Sequence, residues 1–121
     1  VFDDRSPIYQ QIADKIKNDV LSGELPADAQ VMSTNQYAAF YRINPATAAK
    51  AFRQLIDEGV LYKKRGIGMF VSGEARPVLL AQRRERFFRE VVDVMLAEAR
   101  VLGISLDDVV RHIETGRGTQ K

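Results

Sequence analysis

The chain has 121 residues, of which 45% are hydrophobic and 28% charged, a size and balance that fit one small domain with an appendage and exclude a multidomain enzyme. With no cysteine and a single histidine, His112, it offers no disulfide framework, thiolate nucleophile, Cys-based zinc site or His cluster, so no metal or cofactor is expected. Lys and Arg number 18 against 16 Asp and Glu, and the resulting net charge of +2 says little about partners until its distribution is considered.

In chain order, no basic segment followed by an apolar one opens the sequence, and the longest apolar run, Tyr37 to Tyr41, is far short of the roughly 20 residues of a membrane span. The expectation is a cytoplasmic protein without a membrane partner. Ser6 as N-cap and Pro7 at the first helical position announce a helix, along which Ile8, Ile12, Ile16 and Val20 recur on one face. Gly23 ends it, and residues 24 to 30, with Pro26 and no periodicity, read as a loop. Ser33 and Gln36 form a capping box for a short second helix whose inward anchors are expected to be Tyr37, Phe40 and Tyr41. After a tight turn, Asn44 and Pro45 start a third helix with Ala48, Ala51, Phe52, Leu55 and Ile56 on its apolar face, and Gly59 closes it.

Val60 to Arg65 and Gly68 to Val71 predict a β-hairpin with a glycine-bearing, basic tip. A long helix is expected from about Pro77 to Leu102. Its apolar residues, among them Leu80, Phe87, Phe88, Val91 and Met95, occupy more than one narrow stripe, which one fold-back does not easily bury. Ser105 and Asp108 then start a short amphipathic helix, with Asp107 and Asp108 in its first turn, and the tail from Gly116 reads as frayed. His112 reads as a surface or interface residue. The arginines of the long helix alternate with Glu85, Glu90 and Asp93, which favours a solvated or intersubunit face over a second nucleic-acid surface.

A helix, a short helix, a tight turn, a third helix and a basic hairpin together spell a winged helix-turn-helix, in which the third helix fits a major groove and the hairpin reaches the flanking backbone. The charge distribution agrees: Arg42 to Arg65 hold six cations and two anions, whereas residues 73 to 121 hold nine and eight. The fold class is therefore mainly α with a small β-hairpin. Residues 1 to 72 form the winged domain, and 73 to 121 a short two-helix dimerisation module.

The order and spacing of Pro7-Ile8-Tyr9-Gln10-Gln11-Ile12, Leu21-Ser22-Gly23-Glu24-Leu25, Asn44-Pro45-Ala46-Thr47, Lys50-Ala51-Phe52-Arg53-Gln54-Leu55, Glu58-Gly59-Val60-Leu61 and Gly66-Ile67-Gly68-Met69-Phe70-Val71 resemble the GntR family of bacterial transcriptional regulators, and more closely its YtrA-like branch. The resemblance implies a DNA-binding domain over about residues 5 to 72, followed by a dimerising helical module. It places Asn44 and Thr47 at DNA-contacting positions, Lys50 at a basic position usual in the branch, and Arg65 and Gly66 at the wing tip. Where the family usually reads Leu-Pro-Ser-x-Arg, this chain has Val31-Met32-Ser33-Thr34-Asn35, so Asn35 replaces a commonly DNA-contacting arginine and Gln36 becomes a neighbouring candidate.

The candidate DNA-binding residues are thus Ser33, Asn35, Gln36, Asn44, Thr47, Lys50, Arg53, Lys64, Arg65 and Gly66; the candidate dimer seam is Leu80, Phe87, Phe88, Val91 and Met95. Asn44 has an alternative role as a helix cap, and Gly66 as a turn residue. The expected function is that of a homodimeric regulator of double-stranded operator DNA, a repressor of a transporter-type operon, with room for a small-molecule effector. The alternative is a winged-helix module that binds a protein or small ligand instead of DNA.

Overall fold

In the computed structural model, which describes residues 2–117, the four-residue rhythm of Ile8, Ile12, Ile16 and Val20 becomes helix α1 (Ile8–Ser22), with all but Ile8 fully buried. Its N-cap is Pro7 and not Ser6. The reason is Gln11: its side-chain amide donates to the carbonyls of Ser6 and Asp3, each at 2.8 Å, and accepts from the Asp3 N–H at 3.0 Å. The chain is therefore guided into the helix by a side chain of the helix itself, and the serine hydroxyl is not needed as a cap.

The loop after α1 ends sooner than its composition suggests. Gln30 and Val31 form a two-residue strand, β1, beside a hairpin of β2 (Leu61–Lys64) and β3 (Gly68–Val71), giving an antiparallel sheet of order β1-β3-β2. Gln30 stands opposite Phe70 and Val31 opposite Met69. A two-residue edge strand needs only main-chain partners, so it leaves no alternating pattern in the sequence. The hairpin forms where the sequence places it, but its first strand stops at Lys64: Leu61 stands opposite Val71 and Lys64 opposite Gly68, so the tip is three residues, Arg65 to Ile67.

Helices α2 (Thr34–Tyr41) and α3 (Pro45–Asp57) are joined by a turn in which Arg42 adopts the left-handed conformation, φ 55°. One expected anchor fails: Phe40 is 67% exposed, while Tyr37 is buried and Tyr41 half-buried. On a helix this short, Tyr37 and Ala38 fill the inward positions, and Phe40 lies beyond them with its ring edge-on to Tyr41. The core of this part of the chain gathers Ile12, Ile16, Tyr37, Phe52, Leu55, Leu61 and Val71, and closes over Ala75 and Leu79 at the start of α4 (Ala75–Phe87). That burial carries the first compact unit past Ser72 to Ala81.

The expected helix from Pro77 to Leu102 differs in two ways. It starts at Ala75, because the Ser72 carbonyl accepts from the Ala75 N–H at 3.1 Å and the Ser72 hydroxyl from the Glu74 N–H at 3.1 Å; Pro77 then falls in the first turn, where a missing N–H costs little. It is also interrupted by a π-helical stretch, Phe88–Val92, before α5 (Asp93–Val101). The second unit begins at Gln82, and within it α5 packs on α6 (Leu106–Arg117), burying Ala99. Ser105 accepts from the Asp108 N–H at 3.1 Å, as its spacing implies. Gly116 is still helical; the end of the expected frayed tail lies outside the described residues.

Phe52 is 2% exposed at the meeting of α1, α2 and α3, so Phe52→Ala is expected to destabilise the chain by about 3–5 kcal/mol, measured by urea denaturation followed by circular dichroism.

Candidate nucleic-acid interface

Helix α3 has two chemically different sides. Ala48, Ala51, Phe52 and Leu55 are buried, and the small alanines let the helix backbone sit close to its neighbours. Asn44, Lys50 and Arg53 are exposed and Thr47 is half-buried; Thr47, Lys50 and Arg53 follow one another at three-residue steps on the side of the helix that the core does not use, and Asn44 caps its start. Glu58, just past α3, is tied to α1 by an ion pair with Lys17 at 2.7 Å, and Gln54 donates to the same carboxylate at 2.9 Å. The outer face is thereby presented from a helix fixed at its far end.

The N-terminal side chains of the two helices are largely committed to backbone. Asn44 Oδ1 accepts from the Ala46 N–H at 2.7 Å, with Pro45 at the first helical position. Ser33 Oγ accepts from the Gln36 N–H at 3.1 Å while Gln36 Oε1 accepts from the Ser33 N–H at 2.9 Å, the reciprocal capping box the sequence predicts. Asn35 is exposed on the first turn of α2. What these residues can offer a phosphate is the remaining Asn44 and Gln36 amide N–H groups, the Asn35 amide and the backbone N–H groups of two helix starts.

Two of the lysines rest against rings. Lys50 Nζ lies 4.0 Å from the centroid of the Tyr9 ring on α1. On the hairpin, Lys64 Nζ lies 4.9 Å from the Phe70 ring and 5.9 Å from Tyr62, and those two rings stack with centroids 5.7 Å apart. The Tyr62 hydroxyl donates to Asp28 at 2.8 Å, and that bond holds its pKa above the ordinary tyrosine value. Such cation–ring contacts contribute about 0.5–1 kcal/mol at exposed sites, enough to bias where a flexible ammonium spends its time. Tyr9, Tyr62 and Phe70 were not singled out as supports by the sequence; no local spacing connects them to the lysines they hold.

The hairpin tip, Arg65, Gly66 and Ile67, is exposed, with Gly66 at φ 76° and the Ile67 N–H bonded to the Lys64 carbonyl at 3.0 Å. Gly68 is favoured chiefly by its backbone conformation. At φ 145°, a Cβ there would sit 2.6 Å from Gln30 Nε2, which donates to the Ile67 carbonyl at 3.1 Å. The edge strand thus fastens the base of the wing through Gln30. The five candidate seam residues are exposed, Leu80 at 44% and Phe88 at 52%, and His112 is exposed beside an apolar groove between α5 and α6. Among the described residues, no helix is long and apolar enough to cross a membrane.

A tri-helical core that presents one polar helix face, followed by a basic wing, defines a DNA-reading domain of the winged helix-turn-helix class. Residues 8–71 match the family described as bacterial regulatory proteins, gntR family; the chain belongs to that family and is a DNA-binding transcription regulator, not an enzyme. It is similar to the HTH-type transcriptional repressor YtrA of Bacillus subtilis, 29% identical over 109 residues that cover 90% of this chain and 83% of that protein. It is also similar to the NagR repressor of the same organism, 39% identical over 66 residues, but spans only 27% of that protein's length and 54% of its own is matched. Among solved structures, a GntR-family regulator from Bacteroides thetaiotaomicron matches with a TM-score of 0.75 at 32% identity, covering 94% of this chain and 99% of that one. The DNA-binding domain of AraR in complex with the operator ORX1 matches with a TM-score of 0.56 at 25% identity, covering 60% and 93%.

Because the Ser33 and Asn44 side chains satisfy helix-start amides, Ser33→Ala and Asn44→Ala are each expected to lower stability by about 0.5–2 kcal/mol in urea melts without DNA.

Proposed function

We propose that this chain is a homodimeric, sequence-specific repressor that lays α3 in a major groove and its wing on the flanking backbone. The observation that carries the reading is the face of α3 opposite the core, where Thr47, Lys50 and Arg53 stand beside Asn44 on a helix fixed by Phe52 and the Lys17–Glu58 pair. Thr47 and the free amide of Asn44 read base edges. Lys50 and Arg53 hold phosphates, and Ser33, Asn35 and Gln36 line the start of α2 as further backbone contacts. Lys64, Arg65 and Gly66 bring the wing against the duplex, the glycine allowing close backbone approach.

The second unit supports dimerisation. Phe87, Phe88, Val91 and Val94 are each more than half exposed and Met95 somewhat less, an apolar surface that a lone chain leaves in water; Leu80, at the end of the first unit, is proposed as a further seam residue. A second copy is the occupant proposed, and a two-fold dimer requires a pseudo-palindromic operator with half-sites about one helical turn apart. Likeness to YtrA-like regulators supports a repressor of a transporter-type operon, responsive to a small effector and acting in the cytoplasm. The boundary proposed for the two functional modules is Ser72.

Fluorescence anisotropy against duplex from upstream of the chain's own gene and against a shuffled duplex, at two salt concentrations, tests this. Specific binding is expected, falling with salt at a log–log slope near −0.9 per neutralised phosphate. Lys50→Ala and Arg65→Ala are each expected to weaken binding about tenfold and reduce that slope by about one; Arg65→Ala leaves the melting temperature unchanged, and Lys50→Ala lowers stability only by the roughly 0.5–1 kcal/mol of its contact with Tyr9. Equal affinity for both duplexes, or unchanged affinity in both variants, would overturn the reading. Phe88→Glu is expected to convert the dimer to monomer in sedimentation equilibrium, since a buried unpaired carboxylate opposes the seam.

A further inference from the structure

The second unit carries its charge unevenly. Residues 82–89 hold four cations, Arg83, Arg84, Arg86 and Arg89, and one anion, Glu85, whereas residues 90–114 hold six anions and two cations. A segment positive at one end and negative at the other repels a copy lying parallel to it and attracts one lying antiparallel. Some of these charges are used within the chain: Arg89 pairs with Glu85 at 2.9 Å and with Glu90 at 3.7 Å, and Asp108 with Arg111 at 2.7 Å. Among the described residues, Arg86 and Glu98 have no ion-pair partner.

The apolar surface divides in the same way. Between α5 and α6 lies a groove of about 420 Å³, lined by Ala99, Met95, Leu102, Ile104, Val109 and Ile113, with the exposed carboxylates of Glu98 and Asp108 beside them. Earlier in the unit, Phe87 and Val91 stand with Arg83 and Arg86 around a shallow depression, and Phe87 is 51% exposed. One half of the unit thus offers an aromatic ring between arginines, and the other an apolar groove beside carboxylates. Both halves of a complementary contact are present in one chain, which favours a second copy over an unrelated occupant.

We infer that this groove receives Phe87 of a second copy, in an antiparallel pairing about a two-fold axis near Asp93 that sets Arg86 of each copy against Glu98 of the other. The inference rests on the dimer proposed above and gives it a direction, a register and a charge pair. In an antiparallel two-fold pair, facing residues lie equally far on either side of the axis. Phe87 and Ala99 are each six positions from Asp93, and Val91 and Met95 each two, so one register seats the ring over Ala99 and packs Val91 against Met95. Phe87, Val91 and Met95 follow one another at four-residue steps and so share a side of the helix. Arg86 and Glu98, seven and five positions from Asp93, then fall at nearly the same level. Asp93 is two positions from both Val91 and Met95, hence turned away from the contact, so the axis does not bring two carboxylates together.

The chain has no tryptophan, so Phe87→Trp places a single reporter at the contact. Its emission is expected at shorter wavelength in the dimer than after dilution to monomer, because the groove takes the indole out of water. Emission that stays solvent-like in the dimer overturns the seating. Sedimentation equilibrium on the full chain tests the charge pair. Arg86→Glu and Glu98→Arg are each expected to weaken dimerisation at least about tenfold, since every substitution reverses two symmetry-related pairs, and the double variant to return within about threefold of the parent. Single variants that dimerise like the parent, or a double variant no tighter than the singles, overturn the pairing; the tryptophan reporter does not depend on how these variants fold. A parent chain that is monomeric at every concentration overturns the dimer itself, whereas a parent dimer without the rescue overturns only the register and its charge pair.

Discussion

The first unit depends on one packing event, the insertion of Phe52 from α3 between α1 and the edge of Tyr37 on α2. Ala48 and Ala51 make it attainable, since both are fully buried and a larger residue at either would hold α3 away from its neighbours. With that side of the helix committed to the core, Thr47, Lys50 and Arg53 have no choice but to face outward. The face proposed for recognition is the complement of the hydrophobic one, and its orientation is as well determined as the core that opposes it.

Around this scaffold, polar groups do the positioning that burial cannot. The capping box of Ser33 and Gln36 and the Asn44 cap give α2 and α3 defined starts, so each helix begins with its amides directed at fixed points. The long cations are steadied by rings, Lys50 on Tyr9 and Lys64 on Phe70. These contacts are individually weak, yet they reduce the side-chain entropy lost when a phosphate is met. Gln30 acts similarly on the backbone, its amide bonded to the Ile67 carbonyl over Gly68. In the proposed mode of binding, Asn35 brings no charge to the start of α2, so the cations of α3 and the wing carry the electrostatic load.

The second unit has a different problem. Its α5–α6 pair buries Ala99 and leaves Val101, Leu102, Leu106 and Ile113 mostly in water. Two short helices cannot cover one another's apolar faces, and the π-helical stretch at Phe88–Val92 further turns the apolar residues before it relative to those after it. A second copy, as proposed, supplies the missing apolar surface, and such pairing would join dimerisation to the folding of this segment.

The amino-acid sequence by itself determined the features that arise within a few residues: the capping box at Ser33, the Asn44–Pro45 helix start, the hairpin turn at Gly66, and the apolar stripes of α1 and α3. Each is set by a side chain and a backbone group one turn apart, so it is readable without the rest of the molecule. The order of those features also carried the family, and with it the DNA-reading candidates on α3 and the wing. Only the tertiary structure decided that Gln30 joins the sheet, bonding to a carbonyl 37 residues away, and that Tyr62 anchors to Asp28 across 34. It also turned Phe40 outward while burying Tyr37 against Phe52, and set Tyr9 beneath Lys50. These outcomes depend on which surfaces meet once the helices pack, and a contact between distant segments leaves no periodic trace in either of them.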